Sequence, residues 1–473
     1  MTEKLTYKDL ILPTFVNSHP ALSVTSHKEG ESNAETITLP FSDIPIAAVL
    51  SGISFLGVGD TRCGKSQLMM DIHRNYFGGD ADEGGRSNWN VARNDFKSDT
   101  YFMTIDQNKI GEGRGNLSEA KVPIMPRVKA LSNIVDELNL AIPEIQVEFF
   151  GMAEGRHKGM QLGDNYHLFM ASCNMNRING DFAGTSEINR ALLNRFGVTF
   201  DFDYFKRTDE DDDILSERDV AGRLKLEPVR DISDKILEAH QEIREAASQR
   251  DPWIDAYLRL FSSGLEYCHI DKDKKKKKIW PMRCGDCSFA NKDLCSLVKQ
   301  MNTGTSGLLK SFVSGLNYLI QLKHSNVSPD PFDLVSEAYK FTTYHGNLNG
   351  IETNSTYNGE DQEQIRDIVS KIREKINPVK IYIDKAIAAA YEEGIYETRF
   401  IEIDVSGQRS QGEIHSEALI KKLQELKKSN KSIRYEVVQP FDNFGEKTGI
   451  RFDWFDSYLK SVAGHYHPDK FKS

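Results

Sequence analysis

The stretch ISFLGVGDTRCGKSQLMMDIHRNY, residues 53–76, decides the fold. It opens with an apolar run, turns through glycines, and continues into residues that favour a helix. Its centre, GDTRCGKS (59–66), matches G-x-x-x-x-G-K-[ST]. Gly59 and Gly64 let the backbone curl so that the amides of Asp60, Thr61, Arg62 and Cys63 face phosphate oxygens. A helix starting near Lys65 aims its positive end at the same place. Lys65 is placed to reach the β- and γ-phosphates of a nucleotide, and Ser66 to hold Mg²⁺. The strand–loop–helix context is what makes the match specific, and it predicts a phosphate-binding loop of an α/β protein.

Working outward, residues 46–57 (IAAVLSGISFLG) predict a helix end running into a short buried strand. TYFMTI (100–105), ALSNIVDE (130–137) and HLFMASCN (167–174) have strand composition. Residues 78–98 and 111–116 are Gly- and Asp-rich and predict loops. Strands alternating with helices imply a mostly parallel sheet with both faces covered. Asp136 and Glu137 stand at the end of an apolar strand, where one carboxylate holds the Mg²⁺ shell and the other polarises an attacking water. Hydrolysis needs both, because a carboxylate committed to metal is a poor base.

Four domains are expected: an arm at 1–40, a nucleotide-binding core at 41–207, a helical region at 208–358, and a small α+β domain at 359–473. The arm is weakly patterned, with SHKEGESNAE as a polar loop, and the acidic run 209–213 reads as a solvated linker. The last domain predicts a helix near KIYIDKAIAAAYEEG, then strand, helix and two strands, ETRFIEIDV, HSEALIKKLQELKKS, SIRYEVVQP and GIRFDW.

The 473 residues carry 60 Lys and Arg against 70 Asp and Glu, a net charge of −10. That excludes a generally basic nucleic-acid surface, although not a local patch. No run of apolar residues is long enough to span a membrane, and the first residues lack a secretory pattern, so a cytoplasmic protein is expected. Six cysteines in a chain of this length do not make a disulfide framework. Four of them, Cys268, Cys284, Cys287 and Cys295, follow C-x15-C-x2-C-x7-C inside the helical region. Four thiolates suit a tetrahedral structural Zn²⁺, with His269 as a substitute for Cys268. An iron–sulfur cluster takes the same ligands, and four ordinary thiols are the third reading. The lysine run 274–278 within this insertion predicts a solvated loop tip. Cys63 and Cys173 fall in the core and read as packing residues.

From Asp136 onward the chain resembles the MoxR-type AAA+ ATPases. VDELNLAIPEIQVEFFGMAEG is similar to that family's Asp-Glu segment and the helix leading to a Glu-Gly turn. RHKGMQLGDNYHLFMASCNMN resembles its β-hairpin and the strand ending in the sensor Asn, which falls on Asn174. GTSEINRALLNRFGVTFDF resembles the helix that carries the arginine finger, which falls on Arg195, with Arg190 as the fallback. The resemblance covers about residues 40–347 and implies that the helical region 208–358 is a lid, with ATP and Mg²⁺, a hexameric ring, and a remodelled protein substrate or adaptor. Two positions depart from the pattern: Ser306-Gly307-Leu308 lacks the sensor-2 Arg, with only Lys310 nearby, and Gly346 stands where the family often has Arg. The loop GDTRCGKSQLM also resembles minichromosome-maintenance helicases, which would make the chain a nucleic-acid motor. A nucleotide-gated adaptor that hydrolyses slowly is the third reading, prompted by the missing sensor-2 Arg.

Overall fold

In four of the five strands of the central sheet every residue is buried, as expected where both faces of a parallel sheet are covered. The computed structural model describes residues 4–28, 34–107, 120–174, 188–217, 229–266, 294–299, 301, 303–342, 347–348, 350–396, 399–405, 408–414, 433–438 and 450–471. The chain divides into two compact units, Met1–Gln249 with Thr303–Gly346, and Arg250–Asn302 with Asn347–Ser473. The span expected as a single lid, 208–358, is thus shared between the two units.

The first unit begins with an antiparallel hairpin, β1 (Pro20–Lys28) and β2 (Ala34–Pro40). Leu22, Val24 and Ser26 face inward and Ser23 and His27 outward. The expected irregular arm is therefore corrected: LSVTS carries a period-two pattern that makes a half-buried strand. Helix α1 (Ile44–Ser51) then leads to β3 (Phe55–Val58), as the sequence predicts. The phosphate loop follows, and α2 (Lys65–Asn75) leaves it.

The next sheet strand, β4 (Ser87–Val91), falls inside a stretch expected to be loop. SNWNV is an edge strand that is only half covered, so it tolerates polar residues; Trp89 packs on His73 with ring centroids 5.8 Å apart. TYFMTI, expected in the sheet, instead splits into a short helix Ser98–Phe102 and the strand Met103–Ile105, which pairs with Lys121–Pro123 in a separate hairpin. Strand β5 (Ser132–Asp136) is followed by short helices α3 (Pro143–Gln146) and α4 (Glu148–Ala153). The two-residue strands Arg156–His157 and Met160–Gln161 form the expected hairpin before β6 (Leu168–Cys173). Helix α5 (Arg190–Leu193) precedes β7 (Val198–Asp201).

The sheet order is β7-β3-β6-β5-β4, with every pair parallel. Cys173 and Asp201 both register with Val58, and Asp136 registers with Val91. The carboxyl ends of the strands therefore form one edge. At β3 that edge lies between strands added later in the chain, the kind of switch point where ligands bind open α/β sheets. This is an α/β P-loop NTPase core.

The acidic run 209–213 is not a solvated linker. It starts the helix Asp209–Glu217, and Asp211 is buried. Asp211 and Thr208 exchange hydrogen bonds across three residues, a capping box, and the Asp211 carboxylate also accepts the Ser18 N–H at 2.9 Å. Three longer helices complete the unit: α6 (Ser233–Ser248), α7 (Thr303–Lys323) and α8 (Pro331–Thr342), with strand β8 (Val327–Pro329) joining β1. Phe341 of α8 stacks on Phe205, which stacks on Phe41, so aromatic rings cover β7.

In the second unit, the helix Asp361–Glu392 presents an apolar stripe including Ile365, Ile368, Ile372, Ile376, Ile383 and Ile387. The spacing of three and four residues is what a helix needs to bury one face. The strands Arg399–Val405, Gln408–Ile414 and Ile433–Val438 form an antiparallel sheet with Arg399–Val405 in the middle. GIRFDW, expected as a strand, instead leads into the helix Phe455–Tyr466. The helix expected at HSEALIKKLQELKKS lies outside the described residues.

Candidate phosphate-binding site

Val58 ends β3 with its side chain buried, and the chain must turn at once to start α2. Gly59 makes that turn at φ 151° and Gly64 at φ 104°, backbone that L side chains rarely adopt. A Cβ on Gly59 would lie 3.1 Å from both Cys63 Sγ and Phe202 Cβ, so space as well as conformation requires glycine there. Arg62 also has positive φ, 65°, in a loop held from several sides.

Lys65 lies back over its own loop. Its Nζ donates to the Gly59 carbonyl at 2.9 Å, to the Asp60 carbonyl at 2.6 Å and to Cys63 Sγ at 3.4 Å. Burial pushes the Cys63 thiol above its ordinary value, against the pull of Lys65. Cys173, fully buried in β6, is pushed up to about 12. Both thiols therefore stay protonated and pack, as the sequence implies.

The loop is braced by a residue that sequence reasoning missed. Both carboxylate oxygens of Asp203 accept the Asp60 N–H, at 2.9 and 3.0 Å. Asp201, at the end of β7, accepts the N–H groups of Asp203 and Tyr204 and shapes this turn. The signal was local: Asp-x-Asp directly after an apolar strand is an Asx-turn pattern. Residues before β1 hold the other side. The Asp71 carboxylate on α2 accepts the N–H groups of Thr14 and Phe15 at 2.9 and 2.7 Å, and Phe15 packs on Phe202.

At the start of α2, Ser66 Oγ donates to Asp136 Oδ1 at 3.1 Å. Ser172 on β6 also donates to that oxygen, and its own Oγ accepts the Glu137 N–H at 2.9 Å. Ser172 was not singled out in the sequence, because a serine in an apolar strand looks like any small core residue. At Glu137 the chain leaves the strand with φ 57°. Asn139 then fastens the sensor candidate: its Nδ2 donates to the Asn174 carbonyl at 2.9 Å, and its Oδ1 accepts the Asn174 N–H at 3.3 Å.

The structure thus brings residues 59–66, Asp136, Glu137 and Asn174 to the carboxyl edge of the sheet. Arg195 is not among them. It precedes β7, and the next-but-one residue, Gly197, donates its N–H to Ser54, just before β3. Arg195 therefore stands at the amino edge, opposite its own phosphate loop. The sequence matched to the sensor-2 region reaches there too: the side chain of Leu308, near the start of α7, lies beside Gly197. Arg190 opens α5, and its side chain lies outside the described ones.

A serine hydroxyl and a carboxylate oxygen within hydrogen-bond distance are the hard oxygen donors that Mg²⁺ takes, so Ser66 and Asp136 fit that ion. The cysteine insertion gives no such test. Cys268, Cys284 and Cys287, with His269 and the lysine run, lie outside the described residues, and Cys295 sits on the short helix Leu294–Leu297. Among the described residues, no group of three or more His, Cys, Asp or Glu is placed to hold a metal ion, and no helix is long and apolar enough to cross a membrane.

No protein-family profile matches the chain, and no curated protein matches it. Among solved structures, one of a protein from Cytophaga hutchinsonii ATCC 33406, to which ATPase function is ascribed, aligns over 69% of this chain and 87% of its own. The TM-score is 0.46 and the identity 14%. The fold assignment rests on the strand order and the loop described above.

Proposed function

We propose that the chain is an Mg²⁺-dependent ATP hydrolase of the AAA+ type, resembling the MoxR group, that acts as a ring on a protein partner. The observation that carries the reading is the contact between Ser66 Oγ and Asp136 Oδ1, which joins the phosphate loop to the end of β5 with Glu137 next in the chain. Bound Mg²⁺ would supply charge neutralisation between the phosphates. The loop amides and the start of α2 bind the phosphates, and Lys65 exchanges its carbonyl partners for phosphate oxygens. Asp136 serves the ion, which leaves Glu137 as the base that takes a proton from water. Asn174, held by Asn139, positions that water or the γ-phosphate. The placement of Arg195 at the far edge of the sheet supports a role at a neighbour's nucleotide instead of its own, and hence a ring.

Glu137→Gln should retain ATP binding and lower turnover by about 10²–10⁴-fold, since it removes the base and leaves the metal shell. Lys65→Ala should lose nucleotide binding. Parental turnover by Glu137→Gln, read in a phosphate-release assay, overturns the assignment of the two carboxylates. For the insertion, the reading kept from the sequence is one structural Zn²⁺ on Cys268, Cys284, Cys287 and Cys295. Elemental analysis of protein purified without oxygen tests it: iron with acid-labile sulfide, or no metal, removes zinc from the account.

A further inference from the structure

Arg195 does not project freely from the amino edge of the sheet. Its Nε donates to Glu154 Oε1 at 2.7 Å, one Nη donates to the Ala191 carbonyl at 2.7 Å, and its guanidinium lies over the Phe150 ring at 4.7 Å. Phe150 lies on α4 and Glu154 caps the carboxyl end of that helix. The same stretch also holds the approach to α5: the buried Gln146 accepts the Asn189 N–H at 2.6 Å and donates to the Ala141 carbonyl at 3.0 Å. The arginine and the helix before it are therefore both fastened to residues that follow the Asp136–Glu137 pair in sequence.

We propose that Glu154 is a positioning residue for Arg195, fixing the guanidinium so that its remaining N–H groups are presented to an anionic phosphoryl group on a second copy of this chain. The inference rests on the reading of Arg195 as a finger acting across a subunit interface. A guanidinium has five N–H donors in a rigid fork. The contacts with Glu154 and Ala191 engage two of them, which leaves the other three to a ligand without breaking either contact. Arginine loses considerable rotamer freedom when it engages a phosphate, and a side chain already held in place loses less at the transition state. The Arg195 side chain is 31% exposed and that of Glu154 48%, so the pair is reachable from outside. An ion pair this exposed contributes little to folding, so substitutions at Glu154 should leave a folded protein.

The test measures turnover and nucleotide affinity for Arg195→Ala, Glu154→Ala, Glu154→Gln and the double variant Glu154→Ala/Arg195→Ala. Glu154→Ala should lower kcat on the order of tenfold, with nucleotide Kd unchanged, because the ordering cost of the arginine returns. Glu154→Gln keeps an acceptor for Nε and should recover part of the loss. In the double variant, removing Glu154 should cost nothing beyond Arg195→Ala, since a residue that acts through another is silent once that other is gone. Parental or raised kcat in Glu154→Ala, while Arg195→Ala is impaired, overturns the inference and leaves the finger reading intact. An additive loss in the double variant overturns it as well, because Glu154 then acts elsewhere. Parental turnover in Arg195→Ala overturns the finger reading itself, and the positioning role with it.

Discussion

At the scale of single residues, the strand–loop–helix conformation around residues 59–66 was legible because its turns dictate glycine. Glycine turns the chain at 59 and 64, and a lysine and a hydroxyl at 65 and 66 are what the proposed phosphate and metal roles need. The place of the Asp136–Glu137 pair at the end of a buried strand was legible too. Ser172 was not, since its role depends on the neighbouring strand and not on its sequence neighbours. The Ser172 hydroxyl donates to Asp136 and accepts from the Glu137 N–H, so it ties the carboxylate proposed to serve the metal to the backbone of the residue proposed as the base. Ser172→Ala removes both bonds while fitting the same buried space. The expected result is nucleotide affinity close to the parent with kcat lower by about tenfold, in line with one lost hydrogen bond to a charged group. Unchanged kcat in a steady-state ATPase assay would show that Ser172 only fills the strand.

At the scale of elements, the apolar strands β3, β5 and β6 announced themselves, and what escaped was polar. SNWNV makes an edge strand that needs no apolar alternation on its open side. The hairpin β1–β2 was hidden beside a polar turn, although LSVTS alternates. The acidic run failed for a different reason: five acidic residues look solvated, but one of them, Asp211, is buried as a cap. Burial works to raise its carboxyl, yet the N–H groups and hydroxyls of Thr208 and Ser18 hold it below its ordinary value. A carboxyl depressed in the folded state adds stability that is present above its unfolded value and lost as pH falls through the folded one. Asp211→Ala should therefore cost about 0.5–2 kcal/mol at neutral pH, the range for losing a capping interaction at a helix start. The gap between parent and variant in denaturant titrations should close as pH drops below about 4. A gap that persists in acid would assign the cost to packing and not to the carboxylate.

At the scale of the whole molecule, the sequence conveyed the core but not the division of the helices between two units. Helical periodicity shows that a helix buries one face; it does not say against which partner. The same limit applies to Arg195, whose meaning comes from where the sheet puts it. Asn174 and Glu137 end strands at the carboxyl edge, whereas Arg195 precedes β7 at the amino edge. Parallel strands keep these edges apart by their own length, so one subunit does not bring both groups to a single nucleotide. If the groups meet, they meet across a head-to-tail interface, the kind that closes into rings. That geometry makes a complementation test decisive. Arg195→Ala and Glu137→Gln should each be nearly inactive alone. In an equimolar mixture that exchanges subunits, an Arg195→Ala subunit supplies an intact Glu137, and a Glu137→Gln neighbour supplies an intact Arg195. With random assembly about a quarter of the sites then hold both groups, and turnover should rise towards that share of the parental rate. Dilution below the assembly concentration should remove the rescue together with the larger species in light scattering. Mixed protein no more active than its components, under conditions where exchange is demonstrated with labelled subunits, would place Arg195 outside the shared site.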